Sequence, residues 1–226
     1  MKSLELTAGL DEASGMSVYS VKMPADDSRQ REIDMRRRIL QEVSEALRSL
    51  GGQVTNIETV VGSTGIPADS IAKHFGGTKE LFLALVEQLA ATVLEPLRAP
   101  RPIAFFETQL REFACRVASA CSSSDLQGLY RMALTDAVRQ SGAARSFYQR
   151  GAGFVTAELA RFLERGQRAG VIRDADCGQL ASHLMALLRV DLDLGGSRHE
   201  PGDGSQAIDL FLAGVGTGAN SAYIAA

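Results

Sequence analysis

The chain has no tryptophan, only six prolines, and three cysteines in 226 residues. Cys115, Cys121 and Cys177 form no C-x-x-C pair, so neither a disulfide scaffold nor a thiolate zinc site is expected. Cys115 and Cys121 lie six apart on one predicted helix, which is not a same-face spacing for a redox pair. The three histidines, His74, His183 and His199, are isolated, and none stands in an H-E-x-x-H pattern. There is no G-x-S-x-G and no phosphate-binding glycine loop. Gly214-Val215-Gly216-Thr217-Gly218 ends a predicted helix and has no helix behind it, so it reads as a cap and tail. No apolar run approaches the roughly 20 residues of a membrane span. Met1 to Tyr19 is polar and acidic with no apolar stretch of the signal-peptide kind, so a reducing, cytoplasmic setting is expected. The net charge of −3 argues against a protein that coats nucleic acid. Strand-like alternation and short-period repeats are also missing. These absences argue against an enzyme; no catalytic residue, metal ligand or cofactor is expected.

Apolar residues make up 45% and charged residues 23%, the proportions of an ordinary globular chain. The apolar residues recur at helical spacing, which predicts an all-α fold of about nine helices. Residues 1–27 lack periodicity and read as an extension. Ile39, Leu40, Val43, Ala46, Leu47 and Leu50 then mark a helix over about 29–50, which Gly51-Gly52 ends. Thr55-Asn56-Ile57-Glu58 has the form of a capping box and opens a short helix. Gly65 marks a turn, and Pro67 suits the first position of a second short helix over 67–74. Thr78 is placed to cap a long helix over 79–97. Further helices are predicted at about 103–121, 125–140, 144–169, 176–194 and 205–215, with a polar loop at 195–204 and a tail from Gly216. The expected division is an extension (1–27), a three-helix unit (28–79) and a larger helical domain (80–226).

Three helices in the order long, short, short, joined at glycines, fit a helix-turn-helix unit. Charge agrees with that placement. Residues 28–79 hold eight Lys or Arg against six acids, while 1–27 and 80–226 are both net negative. The stretch Thr55 to Leu81, TNIETVVGSTGIPADSIAKHFGGTKEL, resembles the DNA-binding domain of the TetR/AcrR family of transcriptional regulators. The landmarks are Thr55, Val60-Val61, Gly65-Ile66, His74-Phe75 and Lys79-Glu80-Leu81, and the likeness covers about residues 30–90.

The resemblance implies that the second short helix enters the DNA major groove, where base edges are distinguishable. Pro67, Ala68, Asp69 and Ser70 would face bases, with Lys73 and His74 further along, His74 either meeting phosphate or serving a capping or packing role. Thr55 would meet phosphate at a helix start and Lys79 would clamp another, while Arg36, in the basic run Arg29, Arg31, Arg36, Arg37 and Arg38, would reach the backbone or minor groove. Glu32 and Asp34 interleave that run, so a solvated helix start is the plainer account of most of its members. Phe75 is assigned to the core. The chain departs from the common family pattern at Ala72 and Thr78, where many members carry Tyr and Lys, and Asp69 is acidic on a helix that must approach phosphates. A TetR-like fold that binds ligand or protein without specific DNA binding therefore stands as the alternative.

The larger domain is expected to hold a small-molecule pocket among its helices, with Phe106, Phe113, Tyr130, Met132, Phe154, His183 and Met185 as candidates beside their ordinary role in packing. The family likeness implies a homodimer through the helices at 176–194 and 205–215. Two recognition helices must also sit about 34–36 Å apart to enter successive groove turns. The partners implied are palindromic operator DNA, an unidentified small-molecule effector and a second copy of the chain. No membrane partner is expected.

Overall fold

The computed structural model describes residues 25–51, 53–138, 142–188 and 204–217. Among these residues the fold is all-α. It comprises α1 (Ala25–Leu50), α2 (Ile57–Thr64), α3 (Ala68–Phe75), α4 (Thr78–Arg98), a 3-10 turn (Ile103–Phe105), α5 (Phe106–Cys121), α6 (Ser124–Val138), α7 (Ala143–Arg150), α8 (Ala152–Arg168), α9 (Cys177–Leu188) and α10 (Ser205–Val215). The only extended pairing among them is an isolated bridge, Ile172 to Gly216, which ties the end of α10 to the turn before α9. No described helix is long and apolar enough to cross a membrane. The expected extension to residue 24, the last residues of the 176–194 helix, the loop to 203 and the tail from 218 lie outside the described residues.

Most helices fall where their periodicity predicts, and the differences are local. Among the described residues the helix expected over 144–169 is two, α7 and α8. The break is at Gly151. A Cβ there would lie 2.8 Å from the Phe147 carbonyl oxygen and 2.9 Å from Val86 Cγ1, so α4 passes where any larger residue would stand. The cap of α2 is Asn56 rather than Thr55: its side chain accepts from the Thr59 N–H at 2.7 Å, leaving Thr55 exposed one residue outside. Pro67 precedes α3 as its cap in extended backbone, and Gly77 caps α4, so Thr78 is the first helical residue. Pro96 lies inside α4 and cannot bond the Thr92 carbonyl; Arg116 of α5 donates to that orphaned oxygen at 2.9 Å.

Two hydrophobic cores share α4. The first joins Ile39, Val43 and Leu47 of α1, Val60 of α2, Ile71 and Phe75 of α3, and Leu81 to Val86 of α4. It also takes in Leu129, Met132 and Ala133 of α6, so this core reaches well past residue 79. The second begins at Ala90 of α4 and gathers α5, α8, α9 and α10 around Leu110, Phe113, Leu159, Leu163, Leu184 and Ile208. Phe106 and Phe162 stack there with centroids 4.5 Å apart. α10 is held to α5 by Arg111, which bonds Glu107 and Asp209, each at 2.6 Å. Those hydrogen bonds, Glu107's first and Asp209's next, push the guanidinium pKa further above its ordinary value.

Candidate functional site

Two features stand out, one on the surface of the first core and one between the cores. On the surface, α2 and α3 form the helix-turn-helix. Gly65 closes α2 at φ +72, a left-handed conformation that favours glycine, and turns the chain into α3. α3 anchors itself through buried Ile71 and Phe75. Helical spacing then leaves Ala68, Asp69, Ala72 and Lys73 outward and exposed, with Ser70 half-buried and Pro67 exposed before them. Lys79 is exposed at the first turn of α4. Neither lysine takes part in an ion pair among the described residues. Asp69 sits in the first turn of α3, where a carboxylate is favoured by the helix dipole. Thr78 donates to Glu58 at 3.2 Å and so links α2 to the start of α4.

Arg36 and His74 have a different role from the exposed lysines. His74 Nδ1 lies 2.9 and 3.0 Å from the two oxygens of Glu32 on α1, so that nitrogen carries a proton toward the carboxylate. Arg36 donates to the His74 carbonyl, and its guanidinium lies 4.4 Å from the centre of the Phe75 ring. These contacts clamp the C-terminal end of α3 to α1. They fix how the exposed face of α3 is presented. Nothing in the sequence signals the Glu32–His74 pair, whose members are 42 residues apart.

Between the cores is an apolar cavity of about 130 Å³ that is open on one side. Val86 and Leu129 of the first core line it, as do Ala90, Val93, Val117, Val155 and Met185 of the second. Phe147 of α7 also lines it, 6.0 Å from the ring of Tyr130 on one side and 6.2 Å from Phe82 of the first core on the other. α6 borders the cavity through Leu126, Leu129 and Tyr130. The same helix reaches the helix-turn-helix unit: Asp125 pairs with Arg48 of α1 at 3.1 Å, and Arg131 donates to Gln53 at 2.8 Å.

Of the expected pocket residues, Tyr130 and Met185 line this cavity. Phe113 is fully buried in the second core and Met132 is packed in the first. Phe106 is buried too and borders a separate, more polar cleft with Gln109, Arg98 and Arg165. Phe154 is exposed, with Arg98 5.4 Å from its ring centre, and His183 is exposed on α9. Sequence reasoning missed Val86, Leu89, Val93, Val117, Phe147 and Val155. Their apolar spacing identifies them as inward-facing but not as the border of a void. Among the cysteines, Cys115 is exposed while Cys121 is buried and lines the cavity. Cys177 is buried, which pushes its thiol pKa up, with Glu164, Asp176 and Asp174 adding to the rise.

The arrangement has two parts, a helix-turn-helix at one end and an apolar cavity where its core meets the next. Residues 108–195 match the C-terminal domain of AefR-like transcriptional repressors, a TetR-family domain. The solved structures agree in fold. A TetR-family regulator from Mesorhizobium loti is 23% identical, with a TM-score of 0.62 over 83% of this chain and 99% of its own. The flavonoid-responsive regulator FrrA is 21% identical, with a TM-score of 0.57 over 83% and 98% of the two chains. SmeT, the repressor of a Stenotrophomonas maltophilia multidrug efflux pump, is 18% identical, with a TM-score of 0.54 over 82% and 92%. No curated protein sequence matches the chain. The chain is thus similar to TetR-family regulators in its C-terminal domain over residues 108–195 and in its all-α fold.

Proposed function

We propose that the protein is a ligand-responsive transcriptional repressor that binds palindromic operator DNA as a cytoplasmic homodimer and is released by a small molecule. The observation that carries the reading is the cavity at the junction of the two cores, bordered by α4 and α6, which also pack on the helix-turn-helix unit. A ligand there is in contact with the elements that set the position of α3. It shifts the chain between geometries only by its difference in affinity for them.

In this reading Pro67, Ala68, Asp69 and Ser70 face base edges, and Lys73, Lys79 and Thr55 meet phosphates. Asp69 is suited to accept from a cytosine amino group. Arg36 and His74 act mainly by holding α3 in place. Dimerisation runs through α9 and α10, where Leu187 and Leu210 are exposed apolar side chains. A match to repressor C-terminal domains supports the sign of regulation.

The test is a selection of genomic DNA fragments by the purified full chain at two salt concentrations. Enrichment of one palindromic site, with affinity falling steeply as salt rises, is expected. Binding that is absent or indifferent to sequence contradicts it. That result would favour the second reading, a TetR-like fold that binds ligand without specific DNA, which the exposed carboxylate of Asp69 on α3 supports.

A further inference from the structure

We infer that the cavity between the two cores takes a neutral ligand of one aromatic ring carrying at most one hydroxyl or similar small polar group. The inference rests on reading this cavity as the effector site, and it adds the chemical class. Size comes first. An apolar protein cavity of about 150 Å³ holds a single benzene, and this one measures about 130 Å³. Two fused rings exceed it, so a second ring would project through the pocket's open side into solvent or displace walls packed like a crystal, and would gain little from either.

Charge comes second. None of the fifteen residues lining the cavity is Asp, Glu, Lys, Arg or His. A carboxylate or ammonium group would leave water and find no counter-charge, which costs far more than an apolar contact returns. The ligand is therefore neutral at the pH at which it binds.

Ring character comes third. Tyr130 and Phe147 both line the space, 6.0 Å apart with their planes tilted by 56°. A third ring completes edge-to-face contacts with them. The Tyr130 hydroxyl is the strongest hydrogen-bonding group among the lining side chains, with the Cys121 thiol a weak second. One polar substituent is therefore the most that the site satisfies.

The test measures binding to the full chain by calorimetry and by the shift in melting midpoint, using phenol, toluene, 1-naphthol, benzamide and benzoate. Phenol and toluene should bind one per chain and raise the midpoint. Benzamide should bind at least tenfold more tightly than benzoate, and 1-naphthol at least tenfold more weakly than phenol. Ala120→Leu, which fills the cavity from α5, should abolish both phenol and toluene binding. Tyr130→Phe, a variant that keeps the ring, should weaken phenol about fivefold, the worth of one hydrogen bond, and leave toluene unchanged. Equal binding of benzoate and benzamide, equal binding of 1-naphthol and phenol, or no binding of any ring compound overturns the inference. Operator binding measured on the same preparation separates the two claims. Operator binding without ring binding removes the ligand class and leaves the regulator. Ring binding without operator preference does the reverse.

Discussion

Around α3 the apolar residues are packed and the chemistry stands outside; around the cavity the apolar residues themselves are the chemistry. Ile71 and Phe75 are buried, so Asp69 and Lys73 are turned to solvent by helical geometry alone. At the cavity, Val86, Val117, Val155 and Met185 come from four helices and leave a space that no one of them defines. One surface depends on a local repeat and the other on packing between distant segments. The clamp of Glu32 and Arg36 fixes α3 to α1, while the cavity interrupts the close packing between the two cores.

The largest effects should come from breaking either core. Phe113→Ala empties a fully buried site in the second core, and Leu47→Ala does so in the first. Losses of about 3–5 and 2–5 kcal/mol are expected, read from chemical denaturation. Because α4 and α6 tie the cores together, both variants should unfold in one transition; two separated transitions in either would show that the cores are independent. On the surface, Asp69→Ala should change base preference at a single operator position by about 1–3 kcal/mol if Asp69 reads a base. A uniform gain in affinity across all sequences would leave Asp69 as a repulsive charge only. Asn56→Ala removes the cap of α2 and should cost about 1 kcal/mol of stability. Thr55→Ala, one residue outside the helix, should leave the melting midpoint in place, and equal losses from the two would put the cap back at Thr55. Lys79→Ala should weaken binding to all DNA alike and lower the salt slope by about one unit. An unchanged slope would take Lys79 off the phosphate contacts. The smallest effect concerns Cys177, whose thiol burial holds above the ordinary pKa. As pH rises past that ordinary value the unfolded chain loses a proton that the folded chain keeps, so stability falls. Cys177→Ala should flatten that alkaline fall, and an identical pH profile in the variant would show the thiol plays no part.

How much was legible follows the same division. The helices were readable because Ile39, Val43 and Leu47, or Leu81 and Leu85, repeat the helical period along one stretch of chain. The helix-turn-helix was readable because Gly65, Pro67 and Gly76 punctuate it in order. What escaped was non-local. The break at Gly151 comes from the approach of Val86, 65 positions earlier by residue number. The clamp of Arg36 and His74 depends on α1 crossing the end of α3, and the sequence left His74 open between a phosphate contact and a packing role and gave Arg36 no partner on α3. Phe154 and His183 look inward by residue type but lie on the outer sides of α8 and α9. The side chains lining a cavity have the same apolar pattern as a solid core, so only their assembled positions separate the two.

The most direct test of the account is the affinity of the full chain for its selected operator duplex, with and without a saturating one-ring compound that raises the melting midpoint. Occupancy of the cavity should lower operator affinity at least tenfold while leaving affinity for scrambled DNA unchanged. Equal operator affinity in the two conditions would contradict a cavity at the junction of the cores that governs α3.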